Sequence, residues 1–240
     1  MELHSLERIV PDEMDQSQKW SAETVKLHMD RYKFAASFVN GGDVLDMACG
    51  AGYGAYAIAT EKEVSLQSVS AVDIDEASIA YAKRRYAHPL ISFVEADAMN
   101  FGEQHFYDTI ISLETIEHLP QPAEFIKHLH NILKKDGKLI CSVPITPSLD
   151  ANPYHLNDFT ERSFEQLLSE NEFVIQQKMM QVQPFSLFVM LNKKEKRSEE
   201  IRKNLLLYYF THPASLLKRI YSTMRYGFCN RYLVVMCVKK

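Results

Sequence analysis

The sequence has few cysteines, no long apolar run and no excess of positive charge, and each shortage closes off a class of protein. Its four cysteines, Cys49, Cys141, Cys229 and Cys237, form no C-x-x-C pair. A chain of 240 residues needs no disulfide staples, so reduced thiols in a cytoplasm are the simpler reading. No apolar stretch reaches membrane-spanning length, and Met1 to Gln18 lacks the apolar core of a secretory signal. The chain therefore reads as soluble and cytoplasmic. A net charge of −4 argues against a general nucleic-acid binder, because neutralising phosphates takes clustered Lys and Arg. Neither internal repeats nor low-complexity tracts occur. With 46% hydrophobic and 24% charged residues, the composition is that of a globular α/β domain rather than a disordered chain.

Strand-like and helix-like segments alternate from about Asp43 to Val143. Strands are expected at Val44–Ala48, Ser68–Ile74, Leu90–Val94, Thr109–Leu113 and Lys138–Val143, the last entered through an Asp136-Gly137 turn. Helices are expected at Tyr53–Lys62, Glu76–Tyr86 and Ala123–Leu133. Short apolar runs separated by helices are the pattern of a parallel sheet covered on both faces. Ser21–Val39 reads as a preceding helix with a Ser N-cap and Gly41-Gly42 beyond its end. Thr160 is placed to cap a later helix through Ser169, Phe173–Val182 reads as a sixth strand and Tyr232–Val238 as the last. The fold expected is α/β: a Rossmann-like, doubly wound, mostly parallel seven-stranded sheet with a helical insert before the last strand. The chain is read as one domain over 1–240, with a helical segment (1–40), a cofactor-binding core (41–182), an insert or lid (183–231) and a last strand (232–240).

The segment Asp46 to Gly54, with glycines at 50, 52 and 54, lies between a strand and a helix. Glycines there let the backbone approach a ligand, and the helix N-terminus faces the same space. Nineteen residues after Gly54, Asp73 ends the second strand, where a carboxylate grips ribose hydroxyls. The order strand, Gly loop, helix, strand, acid points to an adenosine cofactor. A dinucleotide pyrophosphate would be repelled by a carboxylate beside the loop. Asp46 occupies that position, and the glycines run G-x-G-x-G. A ligand with an ammonium group and no phosphate suits such a site, and S-adenosylmethionine meets that description.

VLDMACGAGYG (44–54), AVDID (71–75), VEADAMN (94–100) and YDTIISLETIEHL (107–119) resemble the successive motifs of class I methyltransferases. The resemblance runs from roughly Glu7 to Phe173. It implies that Asp46, Gly50 and Gly52 surround the methionine part of the cofactor and that Asp73 binds its ribose. Ile74 would pack on adenine, Asp97 with the backbone of Ala98 would read its amino group, and Leu113 would line the cofactor site. Arg31 matches a position that meets the cofactor carboxylate in some relatives; the plain alternative is a solvated helix arginine. Glu7–Pro11, ACGAGYG, LETIEHL and Asn152–Leu156 together are similar to bacterial methyltransferases associated with surface-polysaccharide and sugar biosynthesis.

Methyl transfer to a hydroxyl needs the acceptor held in line and its proton removed. His118, after the fourth strand, and His155, after the fifth, are the candidate bases, since imidazole titrates near neutrality. A capping or structural role is the alternative for each, and Tyr154 and Asp158 are weaker candidates in the same loop. Glu114, Glu117, His118 and His155 are metal-ligand types, but their linear spacing matches no metal motif, so no metal is expected. Between Lys193 and Arg231, ten basic residues meet three acidic ones, +7 in a chain that is −4 overall. The plain reading is an amphipathic helical pair packed on the sheet. The sharper one is a lid or docking face for a nucleotide-linked or lipid-linked sugar at a membrane surface, through residues such as Lys193, Lys194, Arg197 and Arg202. The acceptor is expected to be a small molecule or glycan-linked, most simply a sugar hydroxyl. A quinone or amine acceptor, or a non-catalytic cofactor-binding protein, are the rival readings. Oligomeric state is left open.

Overall fold

The computed structural model describes residues 9–15, 17, 19–62, 65–102, 107–184 and 204–240. Seven strands form one sheet: β1 (Gly42–Met47), β2 (Leu66–Asp73), β3 (Ile91–Glu95), β4 (Tyr107–Leu113), β5 (Leu133–Pro144), β6 (Phe173–Pro184) and β7 (Cys229–Lys239). Their spatial order is β3-β2-β1-β4-β5-β7-β6. All pairs from β3 to β5 are parallel, while β7 runs antiparallel between β5 and β6. The expected fold is thus the one observed.

Alternation along each strand explains why both faces are covered. Val44, Val69, Ala71, Ile111, Ile140 and Val234 face one core with Ala35 and Ala36 of α1 (Lys19–Ala36), Ala55 and Ile58 of α2 (Tyr53–Lys62), and Ile79 and Ala82 of α3 (Glu76–Arg85). Their strand neighbours Leu45, Val72, Ile110, Leu139 and Val235 face the other core with Phe125, Ile126 and Leu129 of α4 (Pro122–Ile132) and Phe164 and Leu168 of α5 (Glu161–Glu170). A period of two with both sides apolar is what a sheet sandwiched between helices demands. The chain winds outward from β1 through β3 and returns to β4 on the other side of β1. That reversal opens a crevice beyond the C-terminal ends of β1 and β4, where open α/β sheets bind ligands.

Several local expectations are corrected. α1 starts at Lys19, so Ser21 lies inside it and is no cap. Asp136 and Gly137 do not precede β5 but lie within it: Lys134 to Gly137 face the single residue Asp108 across an irregular stretch, and Lys134 Nζ donates to the Asp108 carboxylate at 2.7 Å. The antiparallel pair β6 and β7 extends past both expected boundaries, to Pro184 and back to Cys229. Thr160 caps α5 as expected, in a reciprocal box with Ser163.

The insert contains α6 (Leu205–Thr211) and α7 (Pro213–Tyr226). Their apolar side chains do not pack on the sheet: Leu206 and Phe210 are 88% and 86% exposed, and Leu207, Leu217, Tyr221 and Met224 are exposed too. The pair is tethered instead by Arg219, which pairs with the buried Asp150 carboxylate (Nε to Oδ2, 2.8 Å), and by Tyr209, whose hydroxyl donates to Asp150 at 2.5 Å. The plain reading of the insert therefore fails for these helices. Glu7 and Arg8, and Lys193, Lys194, Arg197 and Arg202, lie outside the described residues. No described helix is long and apolar enough to cross a membrane.

Candidate active site

β1 ends in the crevice with Asp46 buried one residue before its last. Tyr32 of α1 donates its hydroxyl to both carboxylate oxygens, at 3.3 and 3.2 Å. Burial pushes the Asp46 carboxyl up to about 7, with the neighbouring Asp73 charge acting in the same direction and the Tyr32 hydrogen bond opposing. The chain then turns through Ala48 and Gly50, both at positive φ (63° and 54°). A side chain built on Gly50 would meet nothing within 4 Å, so this glycine borders open space. Gly52 is required for the opposite reason: at φ 83°, a Cβ would lie 2.6 Å from Ala82 Cβ. At Gly54 a Cβ would overlap the Tyr32 ring, which packs against the start of α2.

Asp73 ends β2 beside this loop. Its Oδ2 accepts from the Gly50 amide and its Oδ1 from the Asp75 amide, both at 2.9 Å. One carboxylate thus fixes the Gly loop and the entry to α3, whose N-cap is Asp75. Ile74 follows, 68% exposed at the crevice edge, an apolar surface offered to solvent. Asp97 is exposed after β3 and spends its oxygens on its own turn, accepting from Met99 N at 2.9 Å and Asn100 Nδ2 at 3.0 Å; Ala98 sits in that turn. Leu113 closes β4, half-buried on the other wall. An open glycine, the acids Asp46 and Asp73 and the exposed Ile74 next to Asp73 are the groups that a ligand with a cationic head, a ribose and a flat base calls for.

Arg31 is not a solvated helix arginine: it is 1% exposed. Nε donates to Gln181 Oε1 at 2.8 Å, Nη2 lies 3.8 Å from Glu114 Oε2, and the guanidinium stacks 4.4 Å over the Tyr232 ring. His28 links it to α2, since Nε2 is 3.4 Å from Arg31 Nη1 and Nδ1 is 3.1 Å from the Tyr53 hydroxyl. Tyr32 and Gln181 carry no site signal in the sequence, and Glu114 is singled out there only as a metal-ligand type. Glu114, at φ 52° just past β4, also accepts from Ser142 Oγ at 2.7 Å. Only that left-handed turn hints at a special role, and it is invisible in sequence.

On the acceptor side, His118 ends the 3-10 turn Ile116–His118, directly after β4. His155 comes over it in the loop after β5, held when the Leu156 and Asn157 amides donate to the Glu117 carbonyl at 2.8 and 3.1 Å. The two imidazoles stand edge to face with centroids 4.7 Å apart. Burial, and then the neighbouring His118, bring the His155 imidazole down to about 3, so it is neutral at physiological pH. Glu117, His118 and His155 each place a ligand-type atom within 4.8 Å of the other two. The expectation that these residues form no metal group rested on linear spacing, and the fold supplies a proximity that spacing does not record.

Residues 45–141 match the family model described as Methyltransferase domain (Methyltransf_11). A Mycobacterium tuberculosis protein named as a probable S-adenosylmethionine-dependent methyltransferase is 30% identical over 175 residues, 70% of this chain and 60% of that one. The Pseudomonas aeruginosa ubiquinone biosynthesis O-methyltransferase is 31% identical over 109 residues, 42% of this chain and 44% of that one. The chain thus spans at most about 60% of the length of the curated relatives it matches here. In fold it is similar to the N-methyltransferase NodS of Bradyrhizobium japonicum, solved with S-adenosyl-L-homocysteine, with a TM-score of 0.60 at 14% identity over 92% of this chain and 87% of that one. The crevice beyond β1 and β4 accordingly lies in the segment that matches the Methyltransferase domain model, within a fold shared with solved methyltransferases.

Proposed function

We propose that this chain moves a methyl group from S-adenosylmethionine to a hydroxyl oxygen of a small or glycan-linked acceptor, most simply a sugar in bacterial polysaccharide biosynthesis. The observation that carries it is the imidazole pair of His118 and His155, in the loops that follow β4 and β5, while the Gly loop follows the neighbouring strand β1. The cofactor, when bound, supplies a methyl group on a positively charged sulfur. Asp46 and the loop at Gly50 and Gly52 would hold the methionine end, and Arg31 would meet its carboxylate. Asp73 would hold the ribose, Ile74 would pack on the base, Asp97 and Ala98 would read its amino group, and Leu113 would line the cofactor site. His118 donates Nδ1–H to the Tyr154 carbonyl at 3.2 Å, which leaves the Nε2 lone pair to receive the acceptor's proton. The four cysteines are free and buried, in keeping with a reducing, cytoplasmic setting.

An acceptor screen with labelled cofactor tests the reading. His118→Ala is expected to lower turnover about 10²- to 10⁴-fold, the usual worth of a positioned base, with S-adenosylhomocysteine affinity unchanged. Equal loss of affinity would place His118 in the wrong role. The Pseudomonas relative favours a second reading, a quinone-type phenol as acceptor, so phenols belong in the same screen.

The exposed hairpin supports delivery of that acceptor from a lipid surface. Residues 205–231 contain no acid, and Lys218, Arg219, Arg225 and Arg231 accompany the exposed Leu206, Phe210 and Met224. Apolar side chains with basic flanks are what an interfacial helix presents to anionic headgroups. The Arg219–Asp150 tether joins this hairpin to the loop carrying His155. Co-sedimentation with phosphatidylglycerol vesicles is expected for the wild type and reduced for a Leu206→Ser, Phe210→Ser double variant. The same sedimentation for both proteins would rule the hairpin out as the contact.

A further inference from the structure

Glu117, His118 and His155 meet in a way that their separate roles do not require. His118 Nδ1 faces a backbone carbonyl, which only accepts, so this nitrogen carries the proton and Nε2 the lone pair. His155 is fixed by a relay. Its Nδ1 lies 2.6 Å from Ser148 Oγ, and that hydroxyl donates to Asp158 Oδ1 at 3.3 Å. The hydroxyl proton directed at an acceptor-only carboxylate leaves Ser148 Oγ to accept from His155 Nδ1–H, so here too the lone pair falls on Nε2. Asp158 is itself held by the Ser148 and Leu149 amides at 2.8 and 3.1 Å. Beside the two rings lies the buried Glu117 carboxylate, its Oε1 3.9 Å from His118 Nε2. Three electron-pair donors therefore converge, and what brings such groups together favourably is a cation.

We propose that Glu117, His118 and His155 bind one divalent transition-metal ion, of the Mn, Fe, Co or Zn class, at the acceptor end of the crevice. Two imidazole nitrogens and one carboxylate oxygen suit these borderline ions, whereas magnesium and calcium take sets made of oxygen. Bonds of about 2.0–2.2 Å hold neighbouring ligand atoms roughly 3–4 Å apart. The present cluster, within 4.8 Å, closes to that with side-chain shifts of about an ångström. Ser148 and Asp158 supply the outer-shell support that orients metal-bound histidines. Three protein ligands leave positions open, and an acceptor hydroxyl on one of them would lose its proton more readily, relieving His118 of that task. This use of the ion rests on the proposed transferase reading; ion binding does not.

The test titrates the chelator-stripped full-length chain with Co²⁺, read by its visible absorption and by equilibrium dialysis, and repeats the dialysis with Mn²⁺ and Zn²⁺. One Co²⁺ per chain is expected. His155→Ala and Glu117→Gln are expected to lose stoichiometric binding, and Ser148→Ala to weaken it about 10- to 100-fold. His212→Ala, which removes an exposed helix-end histidine, should bind as the wild type does. S-adenosylhomocysteine affinity, read at the Asp46 and Asp73 end, reports whether each variant is folded. Absence of one-to-one binding by the wild type overturns the proposal. So does wild-type ion affinity in folded His155→Ala, or in Ser148→Ala should the former not fold. Co²⁺ binding without methyl transfer to any acceptor would instead defeat the transferase reading and leave the metal site standing.

Discussion

Asp73→Ala is expected to abolish cofactor binding, measured by calorimetric titration with S-adenosylhomocysteine. The carboxylate is buried and accepts from two backbone amides, Gly50 N and Asp75 N, both at 2.9 Å. Hydrogen bonds to a charged acceptor contribute about 1.5–3 kcal/mol each. Removing both releases the Gly loop and the start of α3 together, while the ribose loses its acid. The combined effect should exceed roughly a hundredfold in affinity, about 2.7 kcal/mol. Asp73→Asn keeps one acceptor oxygen and should fall between wild type and Asp73→Ala. Wild-type affinity in Asp73→Ala, with a lowered unfolding midpoint, would show that Asp73 only braces the loop and that the ribose lies elsewhere.

Asp46 and Asp73 were legible because they follow local rules: an acid at a strand end, a glycine loop and a short helix all lie within thirty residues. The sheet was legible for the same reason, its central strands β1, β4 and β5 ending in apolar runs bounded by turn residues. What sequence did not disclose is contact between distant segments. Arg31 has the composition of a surface helix position, and only β6 and β7, folding back with Gln181 and Tyr232, make it interior. Tyr32 reads as ordinary helix core until the glycine at 54 admits its ring beside Asp46. His155 meets His118 because the Glu117 carbonyl accepts from the Leu156 and Asn157 amides, about forty residues along the chain. The insert misled for a different reason. Its helical periodicity was real, but periodicity gives an apolar face without saying what covers it, and most of the apolar side chains of α6 and α7 are exposed.

Cofactor affinity is expected to rise with pH through about 7 and then decline, a dependence set by Asp46. Burial raises its carboxyl to about 7 in the folded chain, against an ordinary value of 3.8, so at pH 5 the group is almost entirely neutral. A ligand whose cationic amino-acid end sits against Asp46 binds the carboxylate, so binding below pH 7 must expel a proton. The sign follows: apparent affinity climbs about tenfold per pH unit, roughly a hundredfold between pH 5 and 7, and levels off once Asp46 is ionised. Above about 8 it falls again as the α-amino group of the ligand loses its own proton. The same acid makes the ligand-free fold less stable as pH rises from 4 towards 7, because the unfolded chain ionises first and the folded one resists. Asp46→Asn, which stays neutral throughout, should bind more weakly at pH 7 and lose the rising limb. Calorimetry of S-adenosylhomocysteine binding in two buffers of different ionisation enthalpy counts the proton directly. A flat wild-type profile with no proton released at pH 6 would mean that Asp46 is ionised before the ligand arrives, and that the Tyr32 hydroxyl outweighs the cost of burying the charge.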